Sequence, residues 1–280
     1  MVMMAMRRKI QRYFWLMLSG SIILFIVFVA IFAPVLTQYD PLTIDPLYVL
    51  QPPSSQNLLG TDEFGRDVLS RLIYGAQPSL IVAVGATTLA MVIGIFLGVM
   101  GGYFQGWIEQ ILMRLVDALL CFPPILLAMV VVGLLGPGVS NLVIVIGILY
   151  STTFARLAYA STIQVKAMEY VTVAVAVGVG NRRLIWRHIL PNILSPLIVQ
   201  ASLTAAATIL LESGLSFLGL GVVPPTPSWG LIIGAARNYM DQSPLYVVWP
   251  SLLIASIVLA INTFGDTLRD FLDPRLRKWL

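Results

Sequence analysis

Six stretches of this chain are apolar for as long as a helix needs to cross a bilayer, and little sequence lies between them. A hydrocarbon core about 30 Å thick takes roughly 20 apolar residues of helix. Such runs occur near residues 15–36, 78–101, 111–135, 140–160, 193–222 and 245–264. Composition agrees: 58% of the residues are hydrophobic and 11% charged, against roughly 45–50% and 25% in soluble domains. The gaps before Pro78 and around residues 161–192 are too short for a separate soluble domain. The expected fold class is therefore all-α, a polytopic membrane protein with six transmembrane helices in a single domain over residues 1–280. Within it, a tail and first span cover 1–36, an external segment 37–77, a five-helix core 78–264 with a loop at 161–192, and a second tail 265–280.

Orientation follows from Lys and Arg in the short loops, which collect on the cytoplasmic side. With the N-terminus inside, fourteen cationic residues from Arg7 to Lys278 fall on the cytoplasmic side and only Arg66, Arg71 and Arg237 outside. Both termini and the 161–192 loop are thus expected in the cytoplasm. The first apolar run is too long for the roughly 7–15 residues of a leader's apolar core, and Ala30 and Ala33 make no small-x-small cleavage site, so it reads as a span. The basic balance is a topology signal and implies no nucleic-acid partner, since the charges form no single face with stacking aromatics. Cys121, the single cysteine, excludes an internal disulfide and is expected to be a buried thiol.

The segment "EYVTVAVAVGVGNRRLIWRHILPN", Glu169 to Asn192, breaks the apolar pattern. Its Val/Ala alternation suits a strand, but a lone strand at a membrane surface leaves its backbone unpaired, so a helix is expected. On that helix Ala174 and Gly178 lie one turn apart and expose a narrow face that another surface approaches closely. Gly178 and Gly180 permit a reversal at Asn181, and "RRLIWRHIL" resumes as a basic amphipathic helix up to Pro191. The alternative is an ordinary basic loop with an interfacial helix.

The pattern "EYV…G…RHILPN" resembles the cytoplasmic loop of the membrane subunits of binding-protein-dependent ATP-binding cassette importers. Its Glu-Ala-Ala, Gly, Ile-x-Leu-Pro signature corresponds here to Thr172, Val173 and Ala174, then Gly178, then His188, Leu190 and Pro191. Four further motifs, "LLGTDEFGRDVLSRLIYGAQPSL", "FPPILLAMVVVGLLGPGVSN", "LSFLGLGVVPPTPSWG" and "GDTLRDFLDPRL", resemble the second (C-type) permease subunit of the dipeptide, oligopeptide and nickel branch. The resemblance implies a coupling loop (Glu169, Tyr170, Ala174, Gly178, Asn181, Arg182, Arg183, His188, Leu190 and Pro191) that seats on an ATPase. It also implies a homologous second permease forming a heterodimer, two ATPase subunits and an extracytoplasmic substrate-binding protein, in the cytoplasmic membrane of a prokaryote. Peptides are the expected cargo, with nickel or a metal chelate as the alternative. No G-x-x-x-x-G-K-[ST] phosphate loop occurs, so the chain needs no cofactor of its own and ATP and magnesium belong to the partner ATPases.

Ionisable residues inside spans are expensive unless paired or facing water. Arg114 and Asp117, three apart, are expected to pair on one helix face. Thr204, Thr208, Glu212 and Ser216 draw a polar stripe that either lines the translocation path or bonds neighbouring helices. His188, the single histidine, is expected to cap or pack in the loop, and no ligand set for a metal is evident. Val68, Leu69, Leu72 and Ile73 oppose Arg66, Asp67 and Arg71, as for a helix lying on the outer interface. An intramembrane hydrolase would need a nucleophile with a base in reach, and His188 lies outside the spans. A passive channel is the other rival.

Overall fold

The computed structural model describes residues 2–272, with side chains described from residue 13 to 271. In chain order the helices are α1 (Val2–Ile31), a turn α2 (Ala33–Leu36), α3 (Val68–Phe104), α4 (Gly106–Leu120), α5 (Pro124–Leu135), α6 (Val139–Lys166), α7 (Glu169–Ala176), α8 (Asn181–Leu184), α9 (Leu190–Phe217), α10 (Trp229–Ala236) and α11 (Pro244–Leu272). A π turn, Ile185–Ile189, joins α8 to α9. Among the described residues no strand forms beyond one isolated bridge between Thr61 and Asp67, so the all-α expectation holds.

Five helical stretches are long and apolar enough to cross a membrane: Tyr13–Ile31, Val68–Phe104, Val139–Lys166, Asn181–Phe217 and Pro244–Phe271. The expected third span, 111–135, is not one rod. It breaks between α4 and α5 with a bend of 91°. Pro123 and Pro124 cause the break, because each lacks an N–H and Pro124 pushes its predecessor out of the helical region; Pro123 is extended at ψ 128°.

Helix register shows how the broken pair is used. Gly85 of α3 faces Val143 of α6, Gly94 faces Ser151 and Phe154, Gly98 faces Ala155 and Ala158, and Gly102 faces Tyr159 and Thr162. Both sets of numbers rise together, so α3 and α6 run parallel. The chain between them must return across the bundle, and only α4 and α5 are available to do it. They form one broken crossing rather than a re-entrant loop, which makes six crossings.

The α3–α6 seam is closely packed along its length. A Cβ on Gly94 would fall 2.4 Å from Phe154 Cβ, and one on Gly98 2.4 Å from the Ala155 carbonyl oxygen. Ala86, Ala90, Gly94, Gly98 and Gly102 recur every fourth residue and make the flat stripe on which α6 lies, a small-residue pattern that lets helices approach closely in lipid. Beside this seam, α5 packs Ala128 and Val132 against Leu142, Val145 and Ile146 of α6 and Leu211 and Leu215 of α9.

The end of the bundle that carries residues 37–67 differs from expectation. Residues 68–77 are not a separate interfacial helix but the first turns of α3, and Arg66, Asp67 and Arg71 are buried rather than wet. The fully buried Asp62 accepts from Phe64 N at 2.9 Å, Arg66 N at 2.9 Å and Arg66 Nε at 2.6 Å, and Arg71 Nε stands 3.2 Å from it. Arg71 Nη1 donates to the Pro41 carbonyl at 3.1 Å, and Tyr246 Oη of α11 donates to Glu63 at 2.7 Å. Asp67 caps α3 by accepting from Ser70 N at 2.8 Å. The charged face found partners within the chain, so no interface was needed to receive it.

Two smaller expectations change as well. The tail expected from residue 265 is helical as far as Leu272, because α11 continues through it; Arg275, Arg277 and Lys278 lie outside the described residues. Cys121 is exposed, not buried, since it sits at the corner where α4 ends.

Candidate functional site

The 169–192 segment folds as a hairpin, and its first arm is helical. α7 opens with Glu169, whose carboxylate suits the positive end of the helix dipole, and closes on a glycine stop. Gly178 has φ +82°; its N–H bonds to Val175 O at 3.0 Å and Val179 N to Ala174 O at 3.0 Å, the paired bonds of a Schellman motif. Gly178 is therefore the reversal itself, not a second contact one turn along the helix face. Ala174 is half-buried against the chain's own core, while Gly178 is exposed with nothing within 4 Å of a Cβ placed on it. Gly180 has φ −67°, so glycine is not required there.

The second arm does not end at Pro191. α8, the π turn and α9 form one continuous helix, with Pro191 in the first turn of α9. The π turn ends at Ile189, one residue short of the Leu190–Pro191 step, where a regular helix would need the N–H that proline lacks. His188 packs with its ring 6.4 Å from that of Tyr170, and its carbonyl accepts from Asn192 Nδ2 at 2.6 Å. Leu190 is half-buried beside the core of the hairpin.

That core fixes the hairpin to the bundle. Val171, Leu184 and Ile189 are buried together with Val165 of α6 and Tyr103 of α3. Tyr103 Oη donates to Asn181 Oδ1 at 2.9 Å. Lys166 Nζ donates to the Tyr103 carbonyl at 2.7 Å and to Gln105 at 3.2 Å. Tyr103 and Lys166 escaped sequence reasoning because no local spacing links residue 103 to residue 181. What the hairpin leaves outside is an apolar and basic surface: Val173, Val175, Val177 and Trp186 are exposed, as are Glu169, Tyr170, Arg182, Arg183 and Arg187.

The polar stripe on α9 is internal. Thr204, Thr208, Glu212 and Ser216 are all buried within the chain; of the four, Glu212 bonds a neighbouring helix, and the buried Thr208 hydroxyl has no partner among the described residues. Glu212 accepts from Ser79 of α3 at 3.0 Å, from Ser216 at 2.7 Å and from Ser213 at 3.4 Å. Ser216 in turn accepts from Val222 N at 3.3 Å. α10 covers this cluster so closely that a Cβ on Gly230 would fall 2.3 Å from the Ser213 carbonyl oxygen. The expected Arg114–Asp117 pair also does not form, because Asp117 pairs across the helices with Arg156 of α6.

Comparison with known proteins agrees with this architecture. Residues 90–278 match the family described as binding-protein-dependent transport system inner membrane component, and residues 15–53 match the N-terminal TM domain of oligopeptide transport permease C. The dipeptide transport system permease protein DppC of Alkalihalophilus pseudofirmus is 41% identical over 90% of this chain and 83% of that protein. The di/tripeptide transport system permease protein DppC of Pseudomonas aeruginosa is 44% identical over 91% and 86%. The glutathione transport system permease protein GsiD of Pectobacterium atrosepticum is 38% identical over 96% and 90%. Among solved structures, inward-facing MetNI methionine ABC transporter superposes with a TM-score of 0.61 over 74% of this chain and 96% of that one; at 16% identity this speaks for the fold alone. With a matching family over most of its length, relatives aligned nearly end to end and six crossings carrying a tethered hairpin, the chain belongs to the binding-protein-dependent transport system inner membrane components, on their permease C branch.

Proposed function

We propose that this permease subunit carries peptides into the cytoplasm by alternating access, driven by two separate ATPase subunits that grip the 169–192 hairpin. The observation that supports this most is the tethering of the hairpin. A knob with an apolar and basic surface is held to α3 by Tyr103 and to α6 by a buried core, so a displacement of the knob moves the helices with it. The cargo follows the names of the relatives. The further partners are a homologous second permease completing the path and an external binding protein delivering the peptide. ATP and magnesium are held by the ATPases.

The orientation has the hairpin and both termini in the cytoplasm and residues 37–67 outside, in line with the excess of loop and tail cations on the hairpin side, which stands without Arg114 and Arg156, residues of the spans themselves. Single-cysteine labelling in intact cells tests it. A membrane-impermeant reagent is expected to reach Ser54→Cys and not Asn181→Cys; the reverse pattern overturns the topology and the coupling role together. Function is tested by reconstituting the chain with its second permease, ATPases and binding protein in liposomes. Dipeptide uptake is expected only with ATP. Uptake without ATP would mean a channel, and uptake of nickel but not peptide would overturn the cargo. Gly178→Trp is expected to insert normally yet fail to assemble with the ATPases or leave their activity uncoupled, and normal transport by that variant would refute the hairpin's role.

A further inference from the structure

Charged side chains sit partly exposed along the bundle on a face of α4 that this chain does not cover. α4 buries Met113 and Val116 against Ala155 of α6. Flanking that buried strip, Gln110 and Arg114 are exposed and Asp117 is half-exposed, with the exposed apolar Ile111 and Leu115 beyond them. Their steps of four and three residues place all three on one helical face. Arg156 of α6, itself half-exposed, closes one flank through its ion pair with Asp117. Arg114 has no hydrogen bond or ion pair among the described residues.

Depth makes this face informative. At a rise of about 1.5 Å per residue, Arg156 lies roughly 15 Å inside the hairpin end of α6. α6 is 28 residues long, about 42 Å against a hydrocarbon core near 30 Å, so the ion pair stands within the apolar zone. Arg114, on the preceding turn of α4, lies about 12 Å inside the start of that helix; an unpaired guanidinium turned toward lipid below the headgroups is costly, and side chains of this kind face water or protein instead. The stripe on α9 is buried within the chain and lines no path, whereas this face of α4 is open.

We propose that the Gln110–Arg114–Asp117 face, flanked by Arg156, is a wall of the water-filled translocation path, and that Arg114 meets the carboxylate of a passing peptide. With Asp117 neutralised by Arg156, the wall keeps one uncommitted positive charge. A guanidinium presents paired donors that match the two oxygens of a carboxylate. Water around it keeps the contact weak enough to release the peptide. The carboxylate role rests on the peptide-import reading, whereas the water-facing wall does not.

The test uses the assembled transporter in liposomes with Cys121→Ser as background. Arg114→Cys is expected to react with a water-soluble maleimide about tenfold faster in the ATP-free state than when trapped with ATP and vanadate. Leu134→Cys on the exposed apolar side of α5 is expected not to react in either state. No reaction at position 114 means burial against the second permease and overturns the wall. Equal rates in both states mean a side chain reaching the membrane surface, which overturns it too. In uptake, Arg114→Gln is expected to lower transport of a peptide with a free C-terminal carboxylate about tenfold relative to its C-terminal amide, with Arg114→Lys restoring most of it. Equal loss for both peptides overturns the carboxylate role. If the unsubstituted transporter takes up neither peptide, the cargo reading and the carboxylate role fail together, while the labelling still decides the wall.

Discussion

Substituting Gly98 by alanine adds one methyl group to the chain and should be among its most damaging small changes. The new Cβ would stand 2.4 Å from the Ala155 carbonyl oxygen, 2.6 Å from Ala158 Cβ and 2.8 Å from Tyr159 N. Two of those three atoms are backbone and the third is a methyl with no rotamer, so no side chain swings aside. The helices must part by about an ångström, which strips contact from the neighbouring positions of the stripe as well. Overpacking of this kind costs about 1–3 kcal/mol, and the rigid neighbours place Gly98 near the top of that range. The gain from replacing glycine inside a helix, roughly 0.5–1 kcal/mol, offsets only part of it. Two controls isolate the seam. Gly133→Ala meets nothing within 4 Å and should be neutral or slightly stabilising; Gly85→Ala meets the Val143 methyls at 3.2 Å and should fall between. Unfolding of the purified protein in mixed micelles against increasing SDS reads the order directly, with a shift of about 2 kcal/mol corresponding to roughly thirtyfold in the folded-to-unfolded ratio. If Gly98→Ala and Gly133→Ala unfold together, the α3–α6 contact is not held by the glycine stripe.

At the hairpin, Gly178→Ala forces a side chain into the left-handed region at about 1–2 kcal/mol, while Gly180→Ala should be silent; ATPase activity coupled to uptake, compared at equal membrane abundance, separates them. Tyr103→Phe removes the bond to Asn181, worth about 0.5–1.5 kcal/mol, and should speed hydrogen exchange at residues 177–184 while leaving α3 protected. Glu212→Gln keeps an acceptor for one of Ser79 and Ser216 and turns an NH2 donor to the other, whose hydroxyl oxygen can accept, so it should shift SDS unfolding little. Glu212→Leu orphans those buried hydroxyls at roughly 1–3 kcal/mol each, and equal stability of the two variants would show that the cluster contributes no cohesion.

Apolar run length was enough to read the class and the number of crossings, because lipid leaves a chain few ways to satisfy its backbone. It was a poor guide to the third crossing. Hydropathy is averaged over a window, and the break at Pro123 depends on two residues within it. Pairing between helices was the least legible part: Asp117 had a plausible partner three residues away in Arg114, yet its cation lies 39 residues on in α6. The buried Arg66 and Arg71 misled in the same way, since a charged face looks solvent-exposed until its partners from Asp62, Pro41 and α11 are known. Gly178 was legible as a turn because the need for positive φ is local. The stripe from Ala86 to Gly102 was also legible in principle, as a four-residue repeat of small side chains, but only to a reader looking for helix contacts rather than for polarity.

Because α8, the π turn and α9 are continuous, one helix of 37 residues runs from the hairpin to the serine-ringed Glu212 beneath α10, a rod of about 55 Å. Its compliant places are gathered at one end: the π turn at Ile185–Ile189, Pro191 and Pro196. From Leu197 onward there is no further proline, and the helix is clamped by α3, α10 and α11. Mechanically this is a lever with its flexure beside the handle. A swing of roughly ten degrees about that flexure would carry the far end by about 5 Å, given some 30 Å of stiff helix beyond it, and Glu212, about 22 Å beyond it, by about 4 Å. A shift of that size exceeds the length of the hydrogen bonds between Glu212 and its serines, so a stroke of the hairpin large enough to tilt α9 independently must either break that cluster or carry α3 and α10 along with it.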